Sequence, residues 1–202
     1  MTIRILLADD QTMVRDALAA LLGLQSDIEV TALCSNGDEV LTSVQNELPD
    51  VCLLDIEMPG MDGLSLVELL GRTYPSLPRI IVTAFGRPGY VQRALAAGAR
   101  GFLVKTAAAN DLADAVRKVV DGQIVVDPHL AVAAMAAVAN PLTVREQEIM
   151  RLVRAGKRDA DIAHELFIST GTVRNHISVV LAKTHTVSRM EAALQADEVG
   201  WL

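Results

Sequence analysis

Five apolar runs recur across the first 121 residues, at 3–8, 28–34, 51–55, 79–83 and 101–104. Each is short and rich in Ile, Val and Leu, the signature of a strand buried on both faces. Each is followed by a stretch whose apolar positions fall three or four apart, near 12–24, 37–47, 63–72, 88–97 and 108–120, the spacing of a helix with one apolar side. Strand and helix alternating in this way specify an α/β fold. The expected form is a (βα)5 doubly wound parallel sheet with helices on both faces. The punctuation agrees: Pro49-Asp50 precedes the third run, Pro75 and Pro78 the fourth, and Gly98 and Gly101 bracket the turn into the fifth.

Several of these runs end in polar or charged side chains. The first stops at Asp9-Asp10, the third at Asp55, the fourth at Thr83 and the fifth at Lys105. A lone acid after a strand is ordinarily a solvated loop residue. In a parallel sheet, however, all these ends lie on one rim, where open α/β sheets place their chemistry. Phosphoryl transfer to a carboxylate needs an oxygen nucleophile, a hard cation for the incoming oxygens, and fixed donors for the remaining charge. Asp55, followed by the sharp Met58-Pro59-Gly60 turn, is the candidate nucleophile. Asp9 and Asp10 are candidate ligands for Mg²⁺, which takes oxygen donors and keeps several waters. Lys105 supplies a point charge and Thr83 a hydroxyl.

The 202 residues suffice for one large or two small domains, and mean hydropathy of +0.33 supports a packed core. No stretch reaches the roughly 18 uninterrupted apolar residues of a membrane span, and no basic, signal-like segment opens the chain. A cytoplasmic protein without membrane insertion is expected. Cys34 and Cys52 both sit inside apolar runs and read as buried free thiols. The net charge of -7 would seem to exclude nucleic acid, but residues 1–121 carry 10 Lys and Arg against 16 Asp and Glu, whereas 141–202 carry 8 of each. The C-terminal part can therefore still meet DNA if its cations share a face.

Residues 122–140 read as a linker with a short helix in the Ala-rich run 131–139, between a domain spanning 1–121 and another spanning 141–202. The last part is expected to be all-α: a helix from Thr143 to about Ala155-Gly156, a second over Asp159–Leu166, a tight turn at 167–169, a third to about Thr184 and a fourth from Ser188. Val173, Ile177, Val180 and Leu181 form one apolar face of the third helix, with Arg174, Asn175 and Ser178 facing outward. An ordinary helical hairpin with a solvated polar face fits this periodicity as well as a helix-turn-helix does. On the second reading Arg174 suits guanine and Asn175 adenine, Thr172, His176 and Lys183 suit phosphates, and the DNA-contacting set is Thr172, Val173, Arg174, Asn175, His176, Ser178 and Lys183.

The order Asp9-Asp10, Asp55, Met58-Pro59-Gly60-Met61-Asp62-Gly63, Thr83 and Lys105 resembles the receiver domain of two-component response regulators over nearly all of 1–121. The resemblance implies phosphorylation of Asp55 by a sensor histidine kinase with Mg²⁺, the metal ligated by Asp10, Asp55 and the main-chain carbonyl of Glu57. It also implies that Phe102 is the switch aromatic, turning inward as Thr83 moves to the phosphoryl group. Thr106 departs from the family, which often has an acid there. So does the stretch from Phe85 to Tyr90, in which Phe85 is placed to shield a phosphoaspartate.

Leu142-Thr143-Val144-Arg145-Glu146, Ile162-Ala163, Gly171-Thr172-Val173-Arg174-Asn175-His176 and Arg189-Met190-Glu191-Ala192 resemble the LuxR-type DNA-binding domain. Family members usually carry Ser-Asn where Arg158-Asp159 stands, and Leu where Thr184 stands. The two resemblances together imply a transcriptional response regulator of the NarL/FixJ type. Phosphorylation is expected to make it a homodimer on double-stranded promoter DNA, with the last helix, about 189–199, contributing the DNA-bound dimer contact. It would not be an enzyme beyond slow autodephosphorylation. The rivals are a hydrolase passing through an aspartyl-phosphate, with Glu57 as acid/base, and a phosphorylation-independent DNA-binding regulator.

Overall fold

A computed structural model describes residues 2–84, 86–136 and 140–202, without the side chain of Ala109. In chain order the elements are β1 (Ile3–Ala8), α1 (Thr12–Gly23), β2 (Ile28–Cys34), α2 (Gly37–Asn46), β3 (Val51–Leu54), α3 (Gly63–Thr73), β4 (Arg79–Thr83), α4 (Pro88–Ala96), β5 (Gly101–Val104), α5 (Ala109–Val120), β6 (Val125–Val126), α6 (Pro128–Ala136), α7 (Val144–Arg154), α8 (Asp159–Glu165), α9 (Thr170–Thr184) and α10 (Arg189–Glu198). They divide into two compact units, Met1–Gly86 with Val91–Val132, and Arg87–Tyr90 with Ala133–Leu202.

The first unit holds a parallel sheet in the order β2-β1-β3-β4-β5-β6. Every residue of β3 and β4 is buried, which is why β3 is an unbroken apolar run and β4 sets three aliphatic residues between Arg79 and Thr83, while β2 at one end of the sheet alternates buried and exposed positions. Ile5, Leu7, Leu53, Ile80, Val82 and Leu103 share one sheet face and pack with Leu18 and Leu22 of α1 and Leu112, Val116 and Val119 of α5. Each such side chain contributes about 1.5–3 kcal/mol by leaving water. By the period of two along a strand, Ile81, Thr83 and Phe102 lie on the opposite face. Side-chain caps fix where helices begin: Asn36 accepts from Glu39 N ahead of α2, and Asp62 from Ser65 N ahead of α3.

The five expected βα units are present, and a sixth strand adds to them. Val125 and Val126 pair with Gly101 and Phe102 of β5. Two residues are too few to carry a period, so this segment reads as linker in the sequence. The short helix expected after it is α6. Residues 137–139 of the Ala-rich run, like Phe85, lie outside the described residues.

The second unit is helical. A capping box between Thr143 and Glu146 starts α7, Ser169 accepts from Thr172 N to start α9, and Ser188 from Glu191 N to start α10. Gly156, in the left-handed region, ends α7. The core joins Ile149, Met150 and Val153 of α7, Ile162 of α8, Val173, Ile177 and Val180 of α9, and the alanines of α10. Small residues at 192, 193 and 196 let α10 lie close to its neighbours.

Candidate functional site

The strand order reverses between β1 and β3, because the chain leaves β1 towards β2 on one side and returns to β3 on the other. Such a reversal opens a crevice at the C-terminal ends of the strands. Asp9 is the first residue after β1, Asp55 the first after β3, Thr83 the last of β4 and Lys105 the first after β5. Main-chain bonds hold these ends in line: Asp55 N donates to Ala8 O at 2.9 Å, and Lys105 N to Thr83 O at 2.8 Å. The 58–63 turn then folds back on the site. Gly60 takes φ +78°, and Gly63 lies so close to the main chain of Asp55 that a Cβ there would fall 1.9 Å from the Asp55 carbonyl oxygen. Only glycine fits between α3 and the loop that carries Asp55.

The side chains converge. Lys105 Nζ donates to Asp55 Oδ2 at 2.8 Å and lies 2.7 Å from Asp9 Oδ2. Asp55 Oδ1 accepts from Ile56 N at 2.8 Å, and Asp9 Oδ1 from Gln11 N at 3.0 Å. Arg15 Nη1 donates to the Asp9 carbonyl at 2.7 Å. Asp9 and Asp55 are buried and Asp10 is exposed, yet carboxylate oxygens of all three lie within 4.8 Å of one another. Burial pushes the Asp55 carboxyl up, Lys105 opposes that, and Asp9 adds to it; the net direction is up. Burial pulls the Lys105 ammonium down, but Asp55 and Asp9 outweigh it and the net direction is up. One cation thus serves two buried carboxylates, with a third acid beside them. Three hard oxygen donors this close fit a divalent ion such as Mg²⁺.

Thr83 is buried, and Phe102 is fully buried on the same sheet face. Phe102 therefore stands inward already, with Val126 of β6 paired beside it. Glu57 is exposed.

On α9 the expected DNA-contacting residues separate. Arg174, Asn175 and Ser178 are exposed, and Thr172 and His176 are half-buried. Val173 is fully buried, a core residue, which removes it from the groove-facing set. Lys183 has an acid partner within the domain: its Nζ sits 2.9 and 2.6 Å from the two oxygens of Glu146, whose own Oε2 accepts from Thr143 N at 2.7 Å. That ammonium is half-buried and partly neutralised by the pair. Sequence reasoning missed Asp159, which lies beside Arg174 and Arg189. Its one sequence signal is the departure at Arg158-Asp159.

A family model described as response regulator receiver domain matches residues 5–117, and one described as bacterial regulatory proteins, luxR family, matches residues 140–196. The chain is 47% identical over 200 residues to the uncharacterized transcriptional regulatory protein YvfU of Bacillus subtilis (strain 168), covering 99% of this chain and 100% of that one. It is 44% identical over 199 residues to the transcriptional regulatory protein DesR of the same organism, covering 98% of each. Among solved structures, the response regulator ChrA of a heme-sensing two-component system is 32% identical with a TM-score of 0.60, covering 97% of this chain and 96% of that one.

Proposed function

The chain belongs to the response regulators, transcriptional regulators that join a receiver domain to a LuxR-type DNA-binding domain, and from that premise we propose that Asp55 is its phosphoacceptor. The supporting observation is the buried Asp9–Lys105–Asp55 cluster at the crevice between β1 and β3. An Asp55 oxygen attacks phosphorus, an O–P bond forms, and the P–N bond to the kinase's phosphohistidine breaks, returning the electron pair to the imidazole. Mg²⁺, when bound, neutralises phosphoryl oxygens; Asp9, Asp10, Asp55 and the Glu57 main-chain carbonyl would hold it. Lys105 then exchanges a carboxylate partner for a phosphoryl oxygen, and the Thr83 hydroxyl donates to another. Phe102, already inward, leaves room for Thr83 to move.

The partners are a sensor histidine kinase, promoter DNA and a second copy of the chain. Phosphorylation adds about -1.5 to -2 charge at the rim and drives dimerisation through the faces of α1 and α5. Two weak DNA-binding domains then act at high effective concentration. In this reading 1–121 receives the phosphoryl group, 122–140 connects and 141–202 binds DNA through Thr172, Arg174, Asn175, His176 and Ser178. The protein works in the cytoplasm and turns over only its own phosphoaspartate. Among the described residues no helix is long and apolar enough to cross a membrane. The test uses acetyl phosphate with Mg²⁺, light scattering and a promoter-binding assay. Wild type is expected to take up phosphate, dimerise and bind more tightly. Equal dimerisation and binding by Asp55→Asn under the same treatment would refute the reading.

A further inference from the structure

Arg174 is the most exposed cation on α9, its side chain 72% accessible, and exposed arginines ordinarily sample many rotamers. Here it is held from one side. Its Nε donates to Asp159 Oδ2 at 3.2 Å. Asp159 is the first residue of α8 and is itself fixed: its other oxygen accepts from Arg189 Nη1 at 2.5 Å, while Arg189 Nη2 donates to the Lys157 carbonyl at 2.7 Å. A relay from the Lys157 carbonyl through Arg189 and Asp159 to Arg174 thus ties α8, α9 and α10 together.

We propose that Asp159 is a positioning residue for base readout, presenting the free end of the Arg174 guanidinium to guanine in the major groove. The inference rests on the DNA-binding reading above. Bonding through Nε occupies the flank of the guanidinium and leaves the two terminal nitrogens side by side. That pair is one of the edges able to donate together to guanine O6 and N7. A carboxylate near phosphates would ordinarily cost affinity. Here two arginines outweigh its single charge, so the cluster stays cationic. With Arg174 exposed, the Arg174–Asp159 pair belongs to the exposed ion pairs, which add little to stability. Their physical effect is orientation, and orientation of a bidentate donor is what discriminates one base from another.

The experiment is selection from a random double-stranded DNA library by the full-length chain treated with acetyl phosphate and Mg²⁺, followed by binding measurements on the selected site and its single-base variants. Wild type is expected to prefer guanine at one position of each half-site, and Arg174→Ala to lose that preference. Asp159→Asn, nearly isosteric, is expected to reduce the guanine preference roughly ten-fold while overall affinity holds or rises. Asp161→Asn removes an equal charge from the same helix without touching Arg174, and is expected to leave the preference intact. If Asp159→Asn lowers the melting temperature, Arg189→Lys, which loosens Asp159 from the other side, carries the same expectation. An unchanged guanine preference in Asp159→Asn, or an equal loss in Asp161→Asn, overturns the proposal. A wild type that binds DNA with no guanine preference overturns it too. A wild type that binds no DNA overturns the DNA-binding reading itself, and the inference with it.

Discussion

Asp55 and Glu146 are alike in solvent exposure and in having a lysine partner, and their carboxyls are shifted in opposite directions. Both carboxylates are buried, at 3% and 4% exposure, and both are bonded to a lysine within 3 Å. Glu146 has Lys183 on both oxygens and the Thr143 amide on one, and among the described residues no acid shifts it. Burial pushes its carboxyl up, but those donors outweigh burial and the net direction is down. Asp55 shares its lysine with Asp9, has one main-chain donor, and faces Asp10, so its carboxyl is held up. A buried acid whose bonding capacity is filled is a fastener. One that must compete for its cation is held less firmly in its charged form. The count of donors and rival carboxylates, together with the deeper desolvation of Asp55, separates the two.

The largest expected effect on this contrast comes from Asp55→Asn. Phosphate incorporation from acetyl phosphate falls at least about 100-fold, the loss expected for a missing nucleophile, while the melting temperature of the first unit holds or rises because a rival charge has gone. A marked drop in melting temperature would put Asp55 in the same class as Glu146. Glu146→Ala is next. It opens the capping box and strands Lys183, and should destabilise the second unit by about 3 kcal/mol, the low end for a broken buried pair, because Lys183 keeps some access to water. Chemical unfolding monitored by Trp201, which belongs to that unit, measures it. Mg²⁺ comes third: at ten times its dissociation constant it should stabilise the first unit by about 1.4 kcal/mol, an effect reduced in Asp55→Asn and untouched in Glu146→Ala.

The smallest effect is in pH dependence, where the two groups should slope in opposite directions. The depressed Glu146 carboxyl contributes stability that is present above the ordinary carboxylate range and lost as pH falls through its lowered value. The raised Asp55 carboxyl favours the folded state in its protonated form. Its contribution is present below the ordinary range and lost as pH rises through its raised value. Unfolding of Glu146→Gln and Asp55→Asn between about pH 6 and pH 3 should therefore flatten opposite limbs of the wild-type profile.

The βα repeats were legible because each carries its own period and punctuation, and the observed strand and helix limits fall within a residue or so of those read from the sequence. The rim residues were legible because each closes a strand, so a parallel sheet alone brings Asp9, Asp55, Thr83 and Lys105 together. β6 was not, since a pair of valines is recognisable only through its partner Gly101-Phe102. The capture of Lys183 by Glu146 spans 37 positions and leaves no local mark. Val173 could have been set aside on spacing alone: it shares the period of Ile177 and Val180, and the core took all three.

β6 has a further consequence. Without it, β5 would display a row of unpaired amides and carbonyls, a template for a strand from another molecule. Val125 and Asp127 take that row up by donating to the Arg100 and Phe102 carbonyls at 2.9 and 3.2 Å, and a two-residue strand is itself too short to template much. Fibril-like growth from this flank is thereby discouraged.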